Sequence, residues 1–319
     1  MPTEINDDGL DSTLLLKGLF PLPKFIRFVR ERCPPGSFDE AMLVEQWREA
    51  RALVRRLHHD EADHADAMDV LDLPEEMRPL AEQALRQPSM HRMTSMVPRS
   101  WKMVEIDRLV VFQECINLRH IDQLAAATAA SPDASEIMEL VARRGRHAHP
   151  DVRFTQSDGI YTFASASNDL RFLDVATIDP RTIAGYEPFG AASHALVVYL
   201  GFSDNLISAT RIGRRIILTN GSHRLYLLRR LGFRHAPCLV TDASDSDLSD
   251  VLLPAAVKQD RPFYLGASRP PMFKDYLDPR LTCTVPVTRK HYALRAKLDL
   301  QRITVPAVQK GRGHHARRR

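Results

Sequence analysis

The residues best suited to chemistry are Asn220-Gly221-Ser222-His223-Arg224, set between the β-branched, apolar run Arg215 to Thr219 and the helical stretch that carries Leu225 and Leu228. The first amide groups of a helix have no internal acceptor and sit at the positive end of its dipole, so an anion is favoured there. Gly221 permits close approach and a positive φ. Ser222 offers a hydroxyl and is the expected N-cap, while His223 and Arg224 add donors suited to phosphate oxygens. The bland alternative is that Ser222 only caps, with His223 and Arg224 as solvated surface groups. A second polar run, His58-His59-Asp60-Glu61-Ala62-Asp63-His64-Ala65-Asp66, places His59, Asp63 and Asp66 on one face if it is helical. Imidazole and carboxylate at that spacing suit a divalent metal, but a helical metal site draws ligands from a second helix. None is identifiable in the sequence, so a solvated face is the favoured reading.

The elements that must position the pentapeptide are also legible. Arg214 to Val240 reads as strand, glycine turn, helix, glycine stop and strand, with Gly232 where a left-handed C-cap is expected and Pro237 to Thr241 as the closing strand. This order, with Leu231-Gly232 and a strand opening on proline, resembles the ParB/sulfiredoxin-like superfamily. Its members carry Gly-x-His-Arg or Gly-Glu-Arg-Arg between a strand and a helix. The resemblance covers at most Leu173 to Asp242 and is sharp from Ile216 to Val240. It implies a small α/β domain with a mixed sheet, whose loop holds the phosphates of ATP or CTP. Ser222 stands where sulfiredoxins place their catalytic cysteine, which argues against thiol chemistry. Partition proteins have Glu-Arg-Arg after the glycine and a helix-turn-helix downstream; here Ser-His-Arg is followed by the acidic stretch DASDSDLSDVLLPAAV. The loop looks most like the kinase-type or uncharacterised members, whose pattern is Asp-Gly-His-His-Arg.

Three functions follow as expectations. The first is a nucleotide-dependent phosphotransferase or hydrolase, with Asn220, Gly221, Ser222, His223 and Arg224 on the phosphates, His223 also catalytic, and Mg²⁺ as the usual counter-cation. It needs a carboxylate to hold the metal or deprotonate an acceptor, and Asp179, Glu187 and Asp204 lie just upstream. The second is a nucleotide-gated module that binds nucleic acid or protein without turnover. The third is a degenerate domain whose loop is structural.

Composition restricts the setting. With 319 residues, 44% hydrophobic and 26% charged, the chain suits a globular protein of about two domains. Apolar runs are short and the opening MPTEINDDGLD is acidic, so neither a membrane span nor a secretory signal is expected, and the expected location is the cytoplasm. Cys33, Cys115, Cys238 and Cys283 are widely spaced and read as free thiols. The net charge of +4 is concentrated in the last ten residues, KGRGHHARRR; the rest has 39 basic against 40 acidic residues. A basic tail of this kind suits contact with nucleic acid, an acidic lipid surface or an acidic partner, or else is a solvated end, the favoured reading.

The expected class is α+β, with a helical N-terminal region over 1–100, a ParB/sulfiredoxin-like core over 101–250, a C-terminal wrap-around region over 251–308 and a basic tail over 309–319. Prolines divide LLLKGLFPLPKFIRFVRERC into short pieces around one helix or hook. Ser37 and Glu40 have capping-box spacing, and Leu43, Trp47, Ala50, Val54 and Leu57 form the apolar seam of the helix that follows. Met90, Met93 and Met96 read as core filler. VEIDRLVVF reads as a strand, with helices over Asp122–Ala130 and Ala134–Arg144. DVRFTQ, IYTFASA and LRFLDVATI read as a meander and HALVVYLGF as a buried strand, while LISATRI pairs through Gly213-Arg214 with RRIILTN. Beyond the Asp/Ser-rich stretch from Thr241 to Asp250, SRPPMFKDYLDPRLTCTVPV reads as extended or looped. Its polar residues of interest are Lys274, Asp275 and Asp278, and HYALRAKLD is expected to be a closing helix.

Overall fold

The computed structural model describes residues 9–86, 97–142, 151–167, 169–185, 190–202, 205–243, 249–250, 252–299 and 301–302. The fold is α+β. A five-stranded mixed sheet has the order β10 (Arg215–Asn220), β9 (Ser208–Ile212), β11 (His235–Asp242), β3 (Arg99–Glu105) and β2 (Val70–Leu71). Within it β11 runs parallel to β9, and the other pairs are antiparallel. A three-stranded antiparallel sheet sets β1 (Leu10–Leu16) between β12 (Thr282–Thr288) and β4 (Cys115–Asn117).

Strand β1 separates two apolar clusters by simple alternation. Leu14 and Leu16 join the large core, while Leu15 turns to the smaller one with Phe25, Phe28 and Val29 of α1 (Leu22–Arg32). The long helix α2 (Glu40–Asp60) carries the expected seam, with Ala50 and Val54 in the large core and Leu43 and Trp47 at the small one. Its cap differs from the expectation. Asp39, not Ser37, accepts from the amides of Ala41 and Met42, while Ser37 donates to the carbonyl of Pro34. The large core includes residues from Leu14 to Leu281. The four cysteines are free. Among the described residues no helix is long and apolar enough to cross a membrane.

Helix α3 spans Arg78–Leu85, α4 Leu118–Ala126 and α5 Ala134–Ala142. Helix α4 starts four residues earlier than the sequence pattern indicates, because the Asn117 side chain caps it by accepting from the amide of His120. At α5 the expected restart is a reciprocal cap, in which Asp133 accepts from the amide of Glu136 and the Glu136 carboxylate accepts from the amide of Asp133. The expected meander is only partly present. Strand β5 (Arg153–Ser157) pairs with β6 (Ile160–Ser165) through Asp158 and Gly159, both at positive φ. The outer neighbour of β6 is β13 (Tyr292–Lys297), and β7 (Leu170–Ile178) pairs instead with β8 (Ala195–Phe202). The β13 segment was expected to be helical, but Tyr292, Leu294 and Ala296 alternate with Ala293, Arg295 and Lys297, a period of two that pairing with β6 uses. Strand β8 was expected to be buried, yet Leu196, Val198 and Tyr199 are exposed, as are Phe172, Leu173 and Val175 on β7.

Candidate functional site

Strand β10 delivers the pentapeptide to helix α6 (Ser222–Arg230), and Gly232 at φ 94° ends that helix as expected. Gly221, not Ser222, is the N-cap, at φ 103°. The underside of this turn rests on Ile207, whose Cγ1 would lie 2.7 Å from a Cβ at position 221. Only glycine satisfies both the dihedral and the contact.

The side chains of the motif reach different places. Asn220 is exposed at the rim and donates to Asn205 Oδ1 at 2.6 Å. Ser222, buried in the first turn, donates to Gln113 Oε1 at 2.5 Å. His223 Nε2 accepts the backbone amide of Asn117 at 3.0 Å, which fixes it as a neutral ring with its proton on Nδ1. Its ring meets that of His120 edge-on at 5.2 Å between centroids. Burial, reinforced by His120 and Arg224, lowers its pKa to about 4. A neutral ring with a committed Nε2 lone pair is neither a phosphate-binding cation nor a ready base.

Arg224 turns inward and is only 4% exposed. Nη1 donates to the carbonyls of Val141 at 2.9 Å, Leu140 at 3.3 Å and Asn205 at 2.5 Å, and Nη2 donates to Asn205 Oδ1 at 2.7 Å. It therefore closes the last turn of α5, where carbonyls lack internal partners and the dipole is negative. The expected phosphate contact from Arg224 is not formed by this arrangement: the guanidinium is a fastener between α6, α5 and the segment at Asn205.

Of the upstream carboxylates, Asp179 does not reach the loop. Asp179 is exposed at the far end of β7, where it accepts from the Arg181 amide and guanidinium, and that pairing holds its carboxyl below the usual range. It lies nine residues of extended chain beyond Leu170, on the order of 30 Å, from the end of β7 that approaches the loop. Glu187 and Asp204 lie outside the described residues, as do Met90, Met93, Met96 and the basic tail. Among the described residues, the groups that the loop offers a ligand are amides and hydroxyls, which suit phosphate oxygens.

The His/Asp run from 58 to 66 is used as structure. Helix α2 ends at Asp60, Asp63 adopts φ 60°, and a separate 3₁₀ turn covers His64–Asp66, so His59, Asp63 and Asp66 do not share a helix face. Glu61 binds Arg269 and Lys274, and Asp66 takes the Arg215 guanidinium in a two-pronged pair at 2.8 and 2.9 Å. Among the described residues no group of three His, Cys, Asp or Glu is placed to hold a metal ion.

Three residues that the motif did not reveal complete the site. Gln113 precedes β4, and Asn117 ends it. Asn205 accepts from both Asn220 and Arg224 and donates through Nδ2 to Asp169 Oδ2 at 2.9 Å, directly before β7. All three stand in polar loop or strand-end positions with no spacing pattern relative to the motif. No family model, curated protein or solved structure matches the chain.

Proposed function

We propose that this chain is a nucleotide-binding protein of the ParB/sulfiredoxin-like type that takes the phosphates of ATP or CTP at the N-terminus of α6 without transferring them, and that occupancy is passed to the β7–β8 hairpin. The observation that carries this reading is the convergence on Asn205. The rim residue Asn220 and the internal residue Arg224 share its Oδ1, and its Nδ2 ties to Asp169 at the foot of the hairpin. An anion that draws the Asn220 amide away from Asn205 changes a group that joins loop to hairpin. The inward-turned Arg224 and neutral His223 favour binding over phosphotransfer, since neither is a charged donor aimed at a developing charge. On the hairpin, Val175 lies opposite Val198 and Thr177 opposite Leu196, an exposed face without charge. Such a face suits an apolar protein surface better than a phosphate backbone.

Calorimetric titration with ATP and with CTP, each with and without Mg²⁺, tests the binding. Hydrogen exchange over residues 170–202 in the same samples tests the coupling. The expected result is saturable binding with altered hairpin protection and no release of labelled phosphate. Absence of binding by either nucleotide, both to the wild-type chain and to Gln113→Ala, which frees the Ser222 hydroxyl, overturns the reading, and steady phosphate release restores phosphotransfer in its place.

A further inference from the structure

The mouth of the loop is closed by a side chain from outside the motif. Val111, Phe112, Gln113, Leu218, Thr219, Asn220, Ser222 and Tyr276 enclose a cavity of only about 10 Å³, the scale of a single water. A phosphate group, with four oxygens, does not enter it. The closing contact is Ser222 Oγ to Gln113 Oε1. A serine hydroxyl has one proton to donate, so while Gln113 holds it Ser222 cannot donate to a ligand.

Gln113 is built to let go. Its backbone is held, because the Tyr276 hydroxyl donates to its carbonyl at 2.6 Å from a fully buried ring. The residue is otherwise exposed to solvent, so the side chain can swing outward about a fixed anchor and exchange Ser222 for water. We infer that Gln113 is a latch on the anion site: a ligand phosphate must displace its carboxamide from Ser222 before it reaches the first turn of α6. This inference rests on the nucleotide-phosphate reading given above. The latch also makes the site selective, since only a ligand that replaces the Ser222 hydrogen bond recovers what opening costs.

A closed population weakens apparent affinity in proportion to the fraction of molecules that are open. Removing the latch as Gln113→Ala is expected to tighten ATP or CTP binding roughly three- to tenfold, the weight of one side-chain hydrogen bond. Gln113→Glu, which keeps an acceptor for Ser222 and adds negative charge at the rim, is expected to weaken it. The experiment is calorimetry on the full chain with ATP, CTP and inorganic pyrophosphate at fixed ionic strength, with thermal melts to establish that both variants fold. Tighter binding by Gln113→Ala, including binding where wild type shows none, supports the latch. Wild-type binding that Gln113→Ala leaves unchanged or weakens overturns the latch and leaves the phosphate reading intact. If neither wild type nor Gln113→Ala binds any of the three, the phosphate reading fails and the latch with it.

Discussion

Gly221 carries two constraints at once, a left-handed backbone and contact with Ile207. Gly221→Ala adds a Cβ that meets both Cγ1 and the Cα of Ile207, so relief requires the backbone to move. The expected loss is about 2–4 kcal/mol, combining the left-handed penalty with overpacking, read as a lower urea midpoint at unchanged slope. His223 makes a pH-dependent contribution whose sign is fixed. Its folded pKa of about 4 lies below the ordinary value of 6.5, so the unfolded chain takes the proton first. Its contribution is complete above about pH 6.5 and is lost as pH falls through 4, on the order of 3 kcal/mol at the limit. His223→Gln keeps an acceptor for the Asn117 amide and removes the titration, so the fall in stability between pH 7 and pH 5 should shrink; an unchanged fall would refute the assignment. At this scale the sequence disclosed residue types but not their partners. Gly221, Ser222 and His223 were visible as a motif. Gln113, Asn117 and Asn205 were not, because each reaches the motif through the fold and none has a local signature.

Among the elements, α5 and α6 are joined by Arg224 in a way that separates a structural role from ligand binding. Arg224→Lys keeps the charge but loses the planar fork that spans Leu140, Val141 and Asn205. It is expected to cost on the order of 3 kcal/mol, from carbonyls left without donors. Faster hydrogen exchange should appear in residues 138–142 and 205–207. An Arg224 that contacted ligand would give the opposite pattern, with affinity lost and stability kept. Element boundaries were legible where a local signal dominates. Gly232 ends α6, Gly213-Arg214 turns β9 into β10, and Asp133 with Glu136 starts α5. They were lost where tertiary pairing decides. The β13 segment has residues compatible with a helix but is taken as a strand by β6, and β7 passes over β6 to pair with β8. Ser37 and Asp39 offer side-chain oxygens three residues and one residue before Glu40, and only the geometry of the approaching chain chooses Asp39.

Across the whole molecule, the N-terminal strand β1 is held to the C-terminal region at β12. Arg289 Nε donates to Asp11, which also accepts from Asn117, the residue that supports His223. The same C-terminal region is fixed more deeply by Arg269 and Asp275, both 1% exposed at the side chain and paired through Nη1 and Nη2 of the guanidinium. Arg269 reaches on to Glu61 at the end of α2, and Asp275 accepts the amide of Met272, so one cluster ties the N-terminal helices to the turn before β12. This tie also positions the candidate site, because Tyr276 is the next residue and holds the backbone of Gln113. A buried pair of this kind is costly to break on one side and much less costly to replace whole. Asp275→Leu alone leaves a buried guanidinium without its main partner and should destabilise by about 3–5 kcal/mol. Arg269→Met with Asp275→Leu removes both charges and should recover most of that loss. A double-mutant cycle in urea measures the coupling. If the double variant is no more stable than Asp275→Leu, the cluster does more than match two charges, and the amide of Met272, left without its acceptor in both variants, becomes the group that sets the turn.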